Sequence, residues 1–226
     1  MKEYPHIDSV YKRNERGKFI MGEFSAPEFE YLKDLPWSWT EKIDGTNIRI
    51  MWDGKDVRYG GKTDNAQIPT KLVNWLNEQE VYVEGEYNQT FNPHTFRLFF
   101  EDQVDVCLYG EGYGAGIQSG GDYSSQQKFI LFDVKIGHWW LKRDAIEKIA
   151  FDLGIDVVPL RMRSRTLTEV VEHVRQMAQG ETEHLPSAIG GNNLPLIEGY
   201  VGQPIVPLNN RKCGRVIVKV KVKDFQ

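Results

Sequence analysis

The chain has 226 residues, 40% of them hydrophobic and 27% charged, with a formal net charge of −4. This is the composition of an ordinary soluble globular protein, long enough to bury a substantial core. It excludes broad electrostatic coating of a polynucleotide, because non-specific affinity comes mostly from lysine and arginine neutralising phosphates. No apolar run approaches a membrane span, and Met1 to His6 is followed by charges instead of the apolar stretch of a signal peptide. Cys107 and Cys213 stand far apart in no metal-ligand spacing. The expectation is therefore a cytoplasmic protein with free thiols and no membrane partner.

In chain order, Trp37 to Gly60 reads as strands broken at Asp44-Gly45 and Asp53-Gly54, since an Asp-Gly pair between alternating residues is a hairpin signal. Ala66 to Gln79 predicts an amphipathic helix with Leu72, Trp75 and Leu76 on one face. Strands follow at Val81–Glu84, Asp105–Tyr109, Phe129–Val134 and His138–Leu141. Arg143 to Leu153 reads as a helix stopped by Gly154 in the C′ position. Thr166-Leu167-Thr168-Glu169 is a capping box opening a helix that ends at Gly180. Glu181 to Asn193, rich in Gly, Pro, Asn and charge, reads as a mobile loop within the domain.

The last strand, Arg215 to Lys223, alternates. Val216, Val218, Val220 and Val222 take one face, and Ile217, Lys219, Lys221 and Lys223 the other. From Pro207 onward six basic residues (Arg211, Lys212, Arg215, Lys219, Lys221, Lys223) face one acid, Asp224, so this end is locally +5. A polyphosphate would bind there.

Lys42 in Glu41-Lys42-Ile43-Asp44-Gly45-Thr46-Asn47 is a candidate nucleophile. A lysine attacks phosphorus only as a neutral amine, and a free lysine titrates at about 10.4. Burial or neighbouring cations such as Lys219 and Lys221 would lower that value. Taken alone, a lysine before an Asp-Gly turn is more often an ordinary surface residue, and lysines on an edge strand more often guard against aggregation. Tyr109-Gly110-Glu111-Gly112-Tyr113-Gly114 ends a strand in glycines that would leave room for a ligand beside the backbone. Gly61-Lys62-Thr63 ends like a phosphate-binding loop, but Asp56 stands where that loop needs glycine, so that reading fails. His6, His94, His138, His173 and His184 form no ligand spacing and read as structural or solvated.

Together, K-x-D-G-x-N, YGEGYG, FILFDV, EGYV and K-x-K, in this order from about Trp37 to Phe225, resemble the covalent nucleotidyltransferases, and among them the ATP-dependent RNA ligases of phage type. The resemblance implies an α+β nucleotidyltransferase (ATP-grasp-like ligase adenylation) domain, with antiparallel sheets around an ATP cleft. It makes residues 1–226 a single adenylyltransferase domain with no appended OB domain, an accessory part being left to a possible partner protein. It implies that Lys42 attacks ATP to form lysyl-AMP, that AMP passes to an RNA 5′-phosphate, and that a 3′-OH displaces it. Lys219 and Lys221 would grip phosphate, Glu111 the ribose, Phe132 the adenine, and Glu198 a divalent Mg²⁺ or Mn²⁺. Glu41, Asn47 and Arg49 would complete the nucleotide site. Lys62 stands where the family usually carries arginine, and so lacks the bidentate fork. A DNA ligase, a GTP-using capping enzyme and a non-catalytic binder of nucleic-acid ends share enough of the pattern to be its rivals.

Overall fold

The computed structural model describes residues 3–101, 103–118, 122–190, 195–210 and 214–226. Arg211, Lys212 and Cys213, and positions 191–193 of the loop-like stretch, lie outside the described residues. In chain order the elements are β1 (Asp8–Ser9), β2 (Tyr11–Arg13), β3 (Phe19–Phe24), α1 (Pro27–Leu32), β4 (Pro36–Lys42), β5 (Thr46–Trp52), β6 (Val57–Gly60), α2 (Thr70–Asn77), β7 (Glu80–Val83), β8 (Glu86–Gln89), α3 (Pro93–Phe100), β9 (Val106–Tyr113), β10 (Lys128–Ile136), β11 (Trp139–Trp140), α4 (Arg143–Asp152), β12 (Leu160–Thr166), α5 (Leu167–Gln179), β13 (Gly199–Pro204) and β14 (Val218–Lys221). A 3-10 turn follows at Val222–Phe225. The chain divides into two compact units, Met1–Tyr4 with Asp44–Val158, and Pro5–Ile43 with Pro159–Gln226. The expected α+β class with antiparallel sheets is found in both.

The first unit holds a five-stranded antiparallel sheet in the order β11-β10-β9-β5-β6. Ile48, Ile50 and Trp52 alternate along β5, as Val106 and Leu108 do along β9, and bury one face of the sheet against Leu72 and Leu76 of α2 and Phe96 of α3. Each such side chain, fully buried, contributes about 1.5–3 kcal/mol. The helix expected from Ala66 starts only at Thr70, because Pro69 holds the preceding extended turn. The pattern reading omitted α3 although its start signals are present: Asn92 accepts from the Thr95 amide at 3.0 Å and Pro93 opens the first turn.

The second unit holds a five-stranded sheet in the order β1-β14-β13-β4-β12, antiparallel except for the short β1–β14 pairing. Trp37 and Trp39 of β4, Tyr200 of β13, and Val218 and Val220 of β14 are buried with Val170, Val174 and Met177 of α5. The capping box of α5 is formed as expected: Thr166 Oγ1 accepts from the Glu169 amide at 3.1 Å and the Glu169 carboxylate accepts from the Thr166 amide at 2.8 Å. Gly180 ends the helix at φ 72°.

Two expectations change. Asp44-Gly45 does not turn a hairpin, because β4 pairs with β12 and β13 while β5 pairs with β6 and β9. The final strand is shorter than Arg215–Lys223, since the backbone tightens into the 3-10 turn at Val222 and carries Lys223 out of the strand.

Candidate active site

In the second unit the register of three strands sets the geometry. Gly199 of β13 lies opposite Lys42 of β4 on one side and Lys221 of β14 on the other. One row along, Val201 lies opposite Thr40 and Lys219. Paired residues point to the same face, so Lys42, Lys219 and Lys221 share the face opposite Trp39, Tyr200, Val218 and Val220. Two strand spacings put the Lys42 and Lys221 backbones about 10 Å apart. Between them stands a residue with no side chain. Gly199 is at φ 150°, and a Cβ on it would meet the Val220 carbonyl oxygen at 2.1 Å, so the gap is fixed by backbone packing.

Glu198 precedes Gly199, and its carboxylate accepts from Lys42 Nζ at 2.5 Å. Its own carbonyl accepts from the Val222 amide at 3.0 Å, which ties β13 to the chain just after Lys221. Burial, then the Lys221 and Lys42 cations, pull the Lys219 amine below the usual lysine range. Burial also lowers Lys221, and Asp224, 3.8 Å away, opposes that shift. Three cations held together at this cost are poised for an anion. The anti-aggregation reading of these lysines fails on topology, because β14 is flanked by β1 and β13 and is not an edge.

Glu41 points to the other face of β4. Its buried carboxylate accepts from Arg161 Nη1 at 3.3 Å, from the Ala188 amide at 3.1 Å and from the Ser187 hydroxyl. Within the described part of the stretch after α5, up to residue 190, several residues are tied down, against the mobile reading. Ser187 is buried there, Pro186 bridges to Leu196, and His184 Nε2 lies 2.9 Å from the Ile197 carbonyl oxygen. Polar composition suggested looseness, but a buried carboxylate needs such partners. The partners Arg161 and Ser187 carry no motif of their own and went unread in the sequence.

In the first unit, Asn47 lies opposite Glu111 and Arg49 opposite Tyr109, all on the face turned away from the Ile48–Leu108 core. Asn47 Oδ1 is buried with no hydrogen-bond partner among the described residues. Arg49 is fully buried, and Nε donates to the Gly61 carbonyl at 2.8 Å and Nη2 to Asp64 at 2.8 Å, while Nη1 has no partner among the described residues. The guanidinium thereby braces the turn that carries the exposed Lys62. The YGEGYG glycines do not open space for a ligand as expected. A Cβ on Gly110 would strike Phe129 at 2.2 Å and one on Gly112 would strike Leu72 at 2.5 Å. They are packing glycines on the core face, and β9 runs through them to Tyr113 with Glu111 on the far face. Phe132 is partly buried at an irregularity in β10. Cys107 is buried, and burial pushes its thiol up to about 11, so it is an inert core group.

Among the described residues, no three His, Cys, Asp or Glu side chains stand close enough to cage a metal. Glu198, a carboxylate beside the lysines, is an oxygen donor that could serve an ion such as Mg²⁺, which takes one or two carboxylates and completes its shell with phosphates and water. Among the described residues, no helix is long and apolar enough to cross a membrane.

The chain combines an α+β fold with a lysine–carboxylate pair flanked by two further lysines. The sequence model of the RNA ligase family matches residues 35–221, and the chain belongs to that family. No curated protein matches it. Among solved structures, it is similar to a Naegleria gruberi RNA ligase variant with ATP and Mn (TM-score 0.58, 18% identity, covering 97% of this chain and 57% of that one). A second variant with ATP and Mn gives a TM-score of 0.59 at 16% identity, with 97% and 57% covered. The same ligase with PPi gives 0.57 at 18%, with 98% and 62% covered. The chain thus spans about six-tenths of the length of these relatives.

Proposed function

We propose that this chain is an ATP-dependent RNA ligase acting through a covalent lysyl-AMP. The observation that carries the reading is the row Lys42, Gly199, Lys221, with Lys219 beside it and Glu198 on the Lys42 amine. Lys42 Nζ gives up one proton to water to become the neutral amine, donates its lone pair to the α-phosphorus of ATP, and releases a second proton to water as the phosphoramidate forms. The bond to the β-phosphate oxygen breaks, and pyrophosphate leaves. Lys219 and Lys221 neutralise the polyphosphate, and Glu198 must release the amine before it attacks. A divalent cation held by Glu198 would offset the charge that grows on departing pyrophosphate. AMP then passes to a 5′-phosphate of RNA, and a 3′-OH expels it as the phosphodiester forms.

The ligand groups of the solved relatives, ATP with Mn and PPi, support ATP and a divalent ion as co-substrate and cofactor. Phe132 is assigned to the adenine and Glu111 to the ribose, with Asn47, Arg49 and Lys62 toward phosphate. Arg49 Nη1, a donor with no partner among the described residues, supports a contact to phosphate, and Asn47 would reach phosphate through its amide N–H, since its orphaned Oδ1 only accepts. Glu41 belongs to the site as the buried anchor of the strand that bears Lys42. We place the reaction in the cytoplasm.

The substrate is tested by sealing a 5′-phosphorylated nick whose 3′-OH strand ends in ribonucleotides, against the all-DNA nick and single-stranded RNA, with ATP or GTP. A 2′-hydroxyl both donates and accepts, so it is the natural discriminator. Faster sealing of the ribonucleotide end with ATP is expected. Faster sealing of the all-DNA nick overturns the RNA assignment, and a preference for GTP favours capping chemistry.

A further inference from the structure

Phe132 has no fixed place in its ladder. Leu131 pairs with Gly110 and Asp133 with Tyr109, so Phe132 is the extra residue of a β-bulge between them. The bulge is pinned on its other flank, where Leu131 donates to the Asp156 carbonyl at 2.9 Å and accepts from the Val158 amide at 2.8 Å. A bulged residue is re-aimed out of the strand's alternation.

Tyr4 belongs to the same compact unit as Phe132. Its ring meets Phe132 edge-on, with centroids 5.0 Å apart and planes at 76°. It also packs on Tyr109 at 5.1 Å and Trp140 at 5.6 Å, and its hydroxyl donates to the buried Asp133 carboxylate at 2.9 Å. The hydroxyl bond holds Tyr4 one residue from Phe132, and the two rings meet nearly at right angles. An edge-to-face pair has a preferred angle, so it orients as well as attracts.

We propose that Tyr4 is a positioning residue for nucleotide recognition: it sets the orientation in which Phe132 stacks on the adenine. The inference rests on the assignment of Phe132 to the base under the proposed function. Tyr4 itself is not placed against the substrate.

The test uses the full chain and two probes, α,β-methylene-ATP, whose scissile position is blocked, and inorganic tripolyphosphate, which has no base. Phe132→Ala should weaken the nucleotide analogue roughly ten- to hundredfold, the size of a lost base–aromatic stack. Tyr4→Ala should weaken it about two- to tenfold, in line with an aromatic pair, and leave tripolyphosphate binding unchanged. Tyr4→Phe keeps the ring but drops the bond to Asp133, and should fall between wild type and Tyr4→Ala. The double variant Tyr4→Ala/Phe132→Ala should bind no more weakly than Phe132→Ala alone, because Tyr4 acts through Phe132. Wild-type nucleotide binding by Tyr4→Ala, with Phe132→Ala impaired, overturns the role of Tyr4 and leaves the stacking assignment standing. Equal loss of both probes in Tyr4→Ala and Tyr4→Phe also overturns it and shows a merely structural residue. Wild-type binding by Phe132→Ala removes the stacking assignment itself, and the role of Tyr4 with it.

Discussion

The two five-stranded sheets are built alike and dressed differently. Each buries one apolar face, and each turns its polar alternation the other way. In the second unit that polar face carries three lysines in two neighbouring rows, with burial depressing Lys219 and Lys221. In the first unit it carries Asn47, Arg49, Glu111 and Tyr109, with Phe132 re-aimed by a bulge. The difference separates two kinds of work. A row of cations handles charge and needs little shape. Amide, carboxylate and ring groups recognise a particular molecule, and need their directions fixed by hydrogen bonds and packing.

If that division holds, the largest effect lies in the lysine row. Lys42→Ala should reduce ATP-dependent sealing to background, because no other group supplies the nucleophile. Lys219→Ala or Lys221→Ala should each remove a charge-assisted contact of about 1.5–3 kcal/mol, roughly ten- to hundredfold in the rate of adenylation. Lys223→Ala should matter less, since that residue lies exposed in the 3-10 turn. Adenylation at the wild-type rate by both single variants, still folded, would reduce the lysine row to a structural feature and erase the contrast between the sheets.

The next effect is on stability, not chemistry. Glu41→Gln replaces a buried carboxylate that three donors address, and should cost about 1.5–3 kcal/mol, read as a lower urea midpoint at unchanged slope. A variant as stable as wild type would detach Glu41 from the anchoring of β4.

The smallest effect is a pH dependence. His173 on α5 stacks obliquely near Tyr200, with centroids 6.2 Å apart, and burial, then Arg165, lowers it from 6.5. In the window below 6.5 the unfolded chain binds more protons at this residue than the folded chain does. Stability therefore falls as pH falls through that window and is recovered above it. Urea midpoints on either side of 6.5 should show the decline in wild type and a flatter response in His173→Gln. Equal slopes would assign the decline to other groups.

Much of the lysine row was legible in the sequence, for a physical reason. Strict alternation of Val218, Val220 and Val222 against Lys219 and Lys221 has one reading on a half-buried strand, and Val218, Val220 and Val222 are indeed buried. The capping box and Gly180 fixed both ends of α5 from local chemistry alone. What was not legible depends on contacts distant in sequence. Asp44-Gly45 is a hairpin signal locally, yet the strands on either side of it pair elsewhere. The glycines at 110 and 112 make room for Phe129 and Leu72, which no local pattern reveals. Neither the bulge at Phe132 nor the reach of Tyr4 to Asp133, 129 residues away, leaves a periodic trace.

The central claim is that Lys42 is the covalent nucleophile, and the most direct measurement is to map the adduct. Wild-type protein is incubated with ATP and Mg²⁺, digested, and analysed by mass spectrometry for a peptide heavier by one AMP. The account predicts the adduct on Lys42, as a phosphoramidate labile to acid and stable to alkali, and its absence from Lys42→Ala. An adduct on another residue, or the same adduct in Lys42→Ala, would contradict it.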